Sequence, residues 1–311
     1  MTRPYILRKG VSKLEDLVNG RVGALPVGAD GKIFYVDEDS TGAGTGSDSF
    51  DGLSPERSKK TLQAAIDATV SNRGDLIICK AATQTVTAEV AFNKNGITVM
   101  AEPTGYNSLA SGERFVIYGS HTDNPAARIT APCTIIGLGF CGSQTAGASL
   151  EIDCDEQGSW PGGWNALINV RFSHWGIAKA YALLIKGGAD TLIKDCYFDG
   201  LWTGYTTAAI GLQDSGDQGC WNYVIDGNSF YNIGSGKYCI GLASSTNFRQ
   251  GIVRNNYNVG SAKFFNANSC TGDAVFVCNY MGGATDTGSY NTTIDTLQTA
   301  GFDFAGNYYS E

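Results

Sequence analysis

The stretch YVIDGNSF, Tyr223 to Phe230, packs an apolar run, a polar Asp-Gly-Asn corner and a closing aromatic into one short segment. Looser copies flank it: TIIGLGF (Thr134 to Phe140), ALINVRF (Ala166 to Phe172), TLIKDCYF (Thr191 to Phe198), GIVRNNY (Gly251 to Tyr257), VFVCNY (Val275 to Tyr280) and FAGNY (Phe304 to Tyr308). The closing aromatics recur at uneven steps of about 28 residues, the scale of one unit in a repeat architecture. A fixed core with length changes confined to turns is what a stacked solenoid allows, because each unit buries its apolar side against its neighbours. The apolar runs are short, rich in Ile, Val and aromatics, and broken by Gly and Asn, so they predict strands rather than helices. Corners such as Asp226-Gly227-Asn228 and Asn255-Asn256 suit positive backbone angles, which the 41 glycines of the chain also permit. Equivalent strands of successive coils then stack at roughly 4.8 Å.

Upstream lies KIFYVDEDSTGAGTGSDSFDGLSPERSKKTLQAAIDATV, Lys32 to Val70. A strand (Ile33 to Val36) leads into a Gly/Asp/Ser loop, a DGLSPE turn and an amphipathic helix capped by Thr61, with Leu62, Ala65 and Ile66 on its apolar face. Such a helix closes the end of a solenoid, which would otherwise expose core and strand edges. GDLIICKAATQTV (Gly74 to Val86) and NGITVMAE (Asn95 to Glu102) read as the first coils.

On these residues the chain, from about residue 31 to 311, resembles the right-handed parallel β-helices of the pectate-lyase-like superfamily. The resemblance implies an all-β, single-stranded right-handed parallel β-helix with a short N-terminal capping helix. The expected organisation is an N-terminal arm (1–31), an entry module with the capping helix (32–73) and the β-helix body (74–311).

Composition fits one large folded unit. The chain has 311 residues, 42% hydrophobic content and no apolar run near the ~20 residues that span a bilayer, so no membrane insertion is expected. The N-terminal MTRPYILRKGVSKLEDLVNG contains no uninterrupted apolar core and no small-residue cleavage site, and is not read as a secretory signal. Nine cysteines, with no C-x-x-C pair and several inside apolar strands, read as reduced core residues. The first 23 residues carry a net +3 on a chain of net −8, so the body is acidic and nucleic acid is not an expected partner. Arg3, Arg8, Lys9 and Lys13 of this basic arm are candidate anchor residues; the plainer alternative is an irregular N-terminus.

Catalytic signals are sparse. Polygalacturonase-like members of the superfamily carry paired carboxylates, a Gly-His-Gly histidine and an Arg-Ile-Lys clamp. Here there are only His121 and His174, no Asp-Asp pair, and ARIT (Ala127 to Thr130) has no basic residue after Ile129. Asp195 and Asp199, stacked against Asp226, are the candidate catalytic carboxylates, with Asp153, Asp155, Asp214 and Asp217 as further loop candidates. Against this stands the turn role of corner aspartates, which hydrogen-bond their own backbone. Trp160, Trp164, Trp175, Trp202, Tyr205 and Trp221 are candidates for an aromatic strip contacting glycan or protein. Asp37, Asp39, Asp48 and Asp51 are candidate Ca²⁺ ligands, with a solvated Gly-rich turn as the competing account; no cofactor is expected.

The resemblance extends most closely to bacteriophage virion β-helices of the tailspike and decoration type, commonly trimers, made in the host cytoplasm without an export signal. The expected function is therefore a structural or adhesive virion protein, a capsid decoration or short spike. Its expected partners are other virion proteins, further copies in a homotrimer and a cell-surface polysaccharide. The large C-terminal fin of tailspikes has no counterpart after FAGNYYSE, which favours the shorter decoration. The alternative is a polysaccharide depolymerase, lyase or hydrolase, acting on the β-helix face.

Overall fold

The computed structural model describes residues 27–38, 46–102, 114–120, 125–142, 147–153, 164–173, 180–187, 189–200, 205, 207–213, 220–242, 248–259, 262–267, 271–281, 297–298 and 300–309. They form an all-β parallel β-helix with one α-helix, Leu62–Ala68. Each full coil gives one strand to each of three sheets, of eleven, nine and seven strands. In one coil, Asn165–Ile168 lies in the first sheet, Arg171–Ser173 in the second and Tyr181–Lys186 in the third, before Ala189–Lys194 returns to the first.

Register is held residue by residue. On the inward face of the first sheet one column runs from Phe34 through Ile77, Val99, Ile135, Leu167, Ile193, Ile225 and Val253 to Phe276 and Phe304. The second sheet adds Phe140, Phe172, Phe198 and Phe230, all fully buried. Their rings stack with centroids 5.9, 4.8 and 5.0 Å apart. Continuous stacking turns a short apolar run into core, because each ring is covered by the coil before and the coil after.

The corner between first and second sheets repeats one backbone device. Gly137, Asn169, Asp195, Gly227, Asn255, Cys278 and Gly306 occupy equivalent positions with φ between 52° and 73°. Each turns the chain sharply, and from Gly137 to Cys278 its N–H donates to the next coil, as Asp195 N does to Asp226 O at 3.0 Å. The residue after the corner points inward: Leu138, Val170 and Cys196 in the early coils, then Asn228, Asn256, Asn279 and Asn307. These asparagines make a ladder. Asn256 Nδ2 donates to Ile225 O and to Asn279 Oδ1, both at 2.9 Å, while its own Oδ1 accepts from Asn228 N and Nδ2, both at 2.9 Å. Buried amides are tolerated here because the rungs at Asn228, Asn256 and Asn279 are each bonded above and below.

The structure resets the equivalence of the closing aromatics. Phe230 aligns with Asn258, and Ser229 with Tyr257, so Tyr257 stands one position ahead of the phenylalanine column and faces outward. Tyr280 and Tyr308 follow Tyr257 in register. The interval between Phe230 and Tyr257 thus joins two different columns and falls one residue short of the true repeat. Measured between the equivalent ladder residues Asn228 and Asn256, the coil is 28 residues long.

The helix closes the solenoid as its sequence predicts. Thr61 caps it by accepting from Ala64 N at 3.2 Å, and Leu62, Ala65 and Ile66 are fully buried. Gln84 Oε1 accepts from Leu62 N, and Gln63 Oε1 accepts from Ala91 N, tying the helix to the second and third sheets. Fully buried Asp75 locks the first coil, taking both Arg73 Nε and Nη2 at 2.7 Å and the N–H groups of Lys32 and Val70. Burial alone would raise its pKa, but these donors outweigh burial and hold it below the usual carboxylate range. No helix among the described residues is long and apolar enough to cross a membrane.

Asn256→Ala removes the rung that satisfies Asn228 and Asn279 together. Stranding several buried polar groups at about 1–3 kcal/mol each predicts a loss of at least about 3 kcal/mol, read as a lowered denaturant midpoint with an unchanged slope.

Candidate functional site

Two outward faces concentrate chemistry, and both arise because stacking brings residues of one column within reach of each other. On the third sheet, Arg128, Glu151, Leu184, Gly211, Gly241 and Asn266 form one column. Asp153, Lys186 and Gln213 form the next. Arg128 Nη1 lies 3.5 Å from Glu151 Oε1 and 3.5 Å from Asp153 Oδ2, so one guanidinium nitrogen bridges the two carboxylates. Arg128 Nε lies 3.3 Å from Glu89, and Lys186 donates to Glu151 at 2.9 Å. Glu151 is only 4% exposed although it stands on the outside of a strand. Further along, a Cβ on Gly211 would lie 2.5 Å from the Tyr181 ring, so the missing side chain is what lets that ring lie against the sheet. The face therefore runs from an ion-paired carboxylate pair to an aromatic over a glycine floor.

On the second sheet one outward column runs Arg171, Tyr197, Ser229, Tyr257, Tyr280 and Tyr308, and Tyr231 stands beside it in the column of Ser173 and Asp199. The Arg171 guanidinium lies 5.4 Å over the Tyr197 ring, and Tyr197 stacks on Tyr231 at 4.9 Å. Tyr257 stacks on Tyr280 at 4.6 Å, with Tyr308 next in register and 63% exposed. Stacked rings cover one another's faces and turn their edges and hydroxyls to solvent, spaced by the roughly 4.8 Å rise between strands. Burial, Asp199 and Tyr231 together push the Tyr197 phenol up, against a smaller opposing effect of Arg171, so it stays a hydrogen-bond donor at neutral pH.

The three candidate catalytic aspartates are not aligned as a stack. Asp226 has Lys194 and Arg254 as register neighbours. Burial would raise its pKa, but Arg254 at 2.9 Å and Asn255 at 3.0 Å outweigh burial and hold it low, which suits a fixed ion pair rather than a proton donor. Asp195 sits exposed at the same corner, 3.3 Å from Lys194. Asp199 belongs to the second sheet, between Ser173 and Tyr231, and faces Arg171 at 3.8 Å. Asp153 lies on the strand Ala148–Asp153 rather than in a loop.

Of the aromatic candidates, Trp164 is 67% exposed, and Trp221 lies under Arg249 at 5.1 Å. Both stand where the chain enters the first sheet, two coils apart. Tyr205 is 1% exposed and its hydroxyl donates to Asp199 O, so its ring belongs to the core and not to a surface strip. Trp160, Trp175 and Trp202 lie outside the described residues, as do Asp155, Asp214, Asp217, both histidines and the anchor candidates Arg3, Arg8, Lys9 and Lys13. Among the calcium candidates, Asp48 accepts from Lys60 N, Thr61 N and Thr61 Oγ1, Asp51 from Leu53 N and Arg57 Nε, and Asp37 pairs with Lys80. Asp39 is outside the described residues, and no cluster among the described ones has the makings of a metal site. Five cysteines, Cys79, Cys133, Cys141, Cys196 and Cys239, are buried outside any disulfide, and burial raises Cys133 and Cys196 to about 12.

Sequence reasoning missed Glu89, Arg128, Glu151 and Lys186, and the tyrosine row. The signal was present as alternation: ASLEID puts Glu151 and Asp153 two apart on one strand face, and CYF and SFY put a tyrosine beside each inward phenylalanine.

No protein-family model and no curated protein sequence matches the chain. Among solved structures it is similar to "Geobacillus virus E2 - ORF18", at 11% identity and a TM-score of 0.36, over 79% of this chain and 56% of that one. The chain thus spans a little over half the length of that protein.

Arg128 holds three carboxylates while its side chain remains 20% exposed. Discounting the usual cost of breaking a buried pair for that exposure, Arg128→Leu is expected to destabilise by about 2 kcal/mol. Arg128→Leu combined with Glu151→Leu should recover part of that loss in a double-mutant cycle of thermal melts.

Proposed function

We propose that the protein is a structural and adhesive component of a bacteriophage particle, a short rigid spike or capsid decoration that holds a surface glycan along the outer face of its second sheet. The row of tyrosine edges headed by Arg171 carries this reading. Polysaccharides present repeated hydroxyls, and phenol hydroxyls carried along a stiff support in two stacked pairs meet them at reduced ordering cost, since the rings are already fixed by stacking. Stiffness comes from the inward columns and the asparagine ladder. Support for the particle role comes from the sequence of a short basic arm followed by a β-helix body, an order that resembles phage virion β-helices.

A second reading, a polysaccharide depolymerase, is favoured by the third sheet. Glu151 and Asp153 both reach the same Arg128 nitrogen, which brings two carboxyls together on the scale of separation used for glycosidic cleavage, and Tyr181 lies further along the same sheet face. Both carboxylates are held by Arg128 and one also by Lys186, an arrangement that suits a fixed ion-pair network better than a proton shuttle.

Deleting residues 1–31 is expected to leave a folded, soluble β-helix that no longer joins particles, measured by circular dichroism and by immunoblotting of purified virions. Incorporation of the truncated chain would contradict the anchor, and absence of the full chain from virions would contradict the particle role. Glu151→Gln and Asp153→Asn are expected to leave glycan binding intact; loss of oligosaccharide release in either variant would instead establish the depolymerase.

A further inference from the structure

Arg114 and Arg171 come together at the head of the tyrosine row although they belong to coils two apart. Arg114 precedes the second-sheet strand Phe115–Gly119. Its side chain crosses the intervening coil, whose corner is Gly137 and whose facing strand residue is Gly139, and reaches the corner residue Asn169. There Nη1 donates to Asn169 O at 2.9 Å and Nη2 to Asn169 Oδ1 at 3.4 Å. Arg171 follows two positions later, with its guanidinium over Tyr197. Burial first, and the positive charge of Arg171 after it, push the pKa of the Arg114 guanidinium down.

Their charge is not balanced among the described residues. There, the one carboxylate within ion-pair distance of either is Asp199, at 3.8 Å from Arg171 Nη2, too long for a hydrogen bond. Arg171 Nε is buried and donates to none of the described groups. Two half-buried guanidiniums held side by side cost energy unless an anion joins them, and the fork geometry of arginine matches an oxyanion with two parallel hydrogen bonds. This occurs on a chain of net charge −8.

We infer that Arg114 and Arg171 form a subsite for an acidic group, a carboxylate or sulfate, carried on the polysaccharide that lies along the tyrosine row. The inference rests on the adhesive reading and names its ligand as an acidic rather than a neutral glycan. Arg171 donates through its terminal Nη groups and Arg114 through its remaining N–H groups to the oxyanion, while Tyr197 and Tyr231 bond the sugar hydroxyls that follow. Asp199 opposes the anion and limits its affinity.

The test is affinity electrophoresis of the full chain through gels containing dextran, carboxymethyl dextran or dextran sulfate, which share one neutral backbone. Retardation is expected with the acidic polymers and not with dextran, and the stronger of the two identifies carboxylate or sulfate. Arg114→Gln and Arg171→Gln should each weaken it at least fivefold, and Lys60→Gln, which removes an equal charge at the capped end, less than twofold. Asp199→Asn should strengthen it, a gain that misfolding would not produce. Equal retardation by dextran, no retardation by either acidic polymer, insensitivity to both arginine substitutions, or weakening by Asp199→Asn would overturn the inference. Binding of the wild-type chain to whole host-cell polysaccharide, measured in parallel, decides the adhesive reading separately: binding there without any arginine dependence leaves adhesion standing and removes the acidic subsite.

Discussion

The corner between the first and second sheets constrains everything else. A residue with positive φ at this point in seven successive coils, from Gly137 to Gly306, bends the chain by the same amount each time, and through Cys278 it sends its N–H to the coil above. Identical bends keep the strands on either side in register, and register is what allows columns of like residues to form. Where the following inward residue is asparagine, its amide bonds the coils above and below, so the bend and the stacking reinforce one another. A slip of one residue at any corner would reverse inside and outside for the next strand. The reset between Phe230 and Asn258 is the limit of what this tolerates: the corner is kept, and the aromatic changes sides.

The same rule that builds the core organises the surface. Because equivalent positions recur every coil, outward residues also fall into columns, and chemistry that looks scattered in sequence becomes contiguous. Glu151, Arg128 and Lys186 come from three strands and make one network. Arg171, Tyr197 and Tyr231 come from three more and make a cation on an aromatic stack. The first network is closed on itself, each carboxylate facing a cation. The second leaves tyrosine rings at the surface beside the two arginines, which is why the proposed binding is assigned to the second sheet.

Much of the fold was legible in the sequence because its causes are local. Short Ile/Val runs, Asn and Gly corners, and a Thr-capped helix with three apolar residues each have a physical reason that a single segment contains. The surface was less legible because its causes are not local. Whether Asp226 neighbours Asp199 or Arg254 depends on coil lengths that vary with every turn, and the actual lengths put Arg254 there. Tyr205 looked like a surface aromatic because it lies in a loop-like stretch, yet it is buried with its hydroxyl bonded to Asp199 O. Tyr257 and Phe230 looked equivalent because both close a repeat; only the register separates the outward row from the core.

Assigning glycan contact to the second sheet rather than the third is the step on which the functional reading turns. Hydroxyl-radical footprinting by mass spectrometry, with and without carboxymethyl dextran, reads both faces in one experiment through their tyrosines. Protection of Tyr197, Tyr231, Tyr257 and Tyr280 is expected, with Tyr181 and Tyr238 on the third sheet unchanged. Protection of Tyr181 and Tyr238 with the second-sheet tyrosines unchanged would contradict the assignment and place binding beside Glu151 and Asp153.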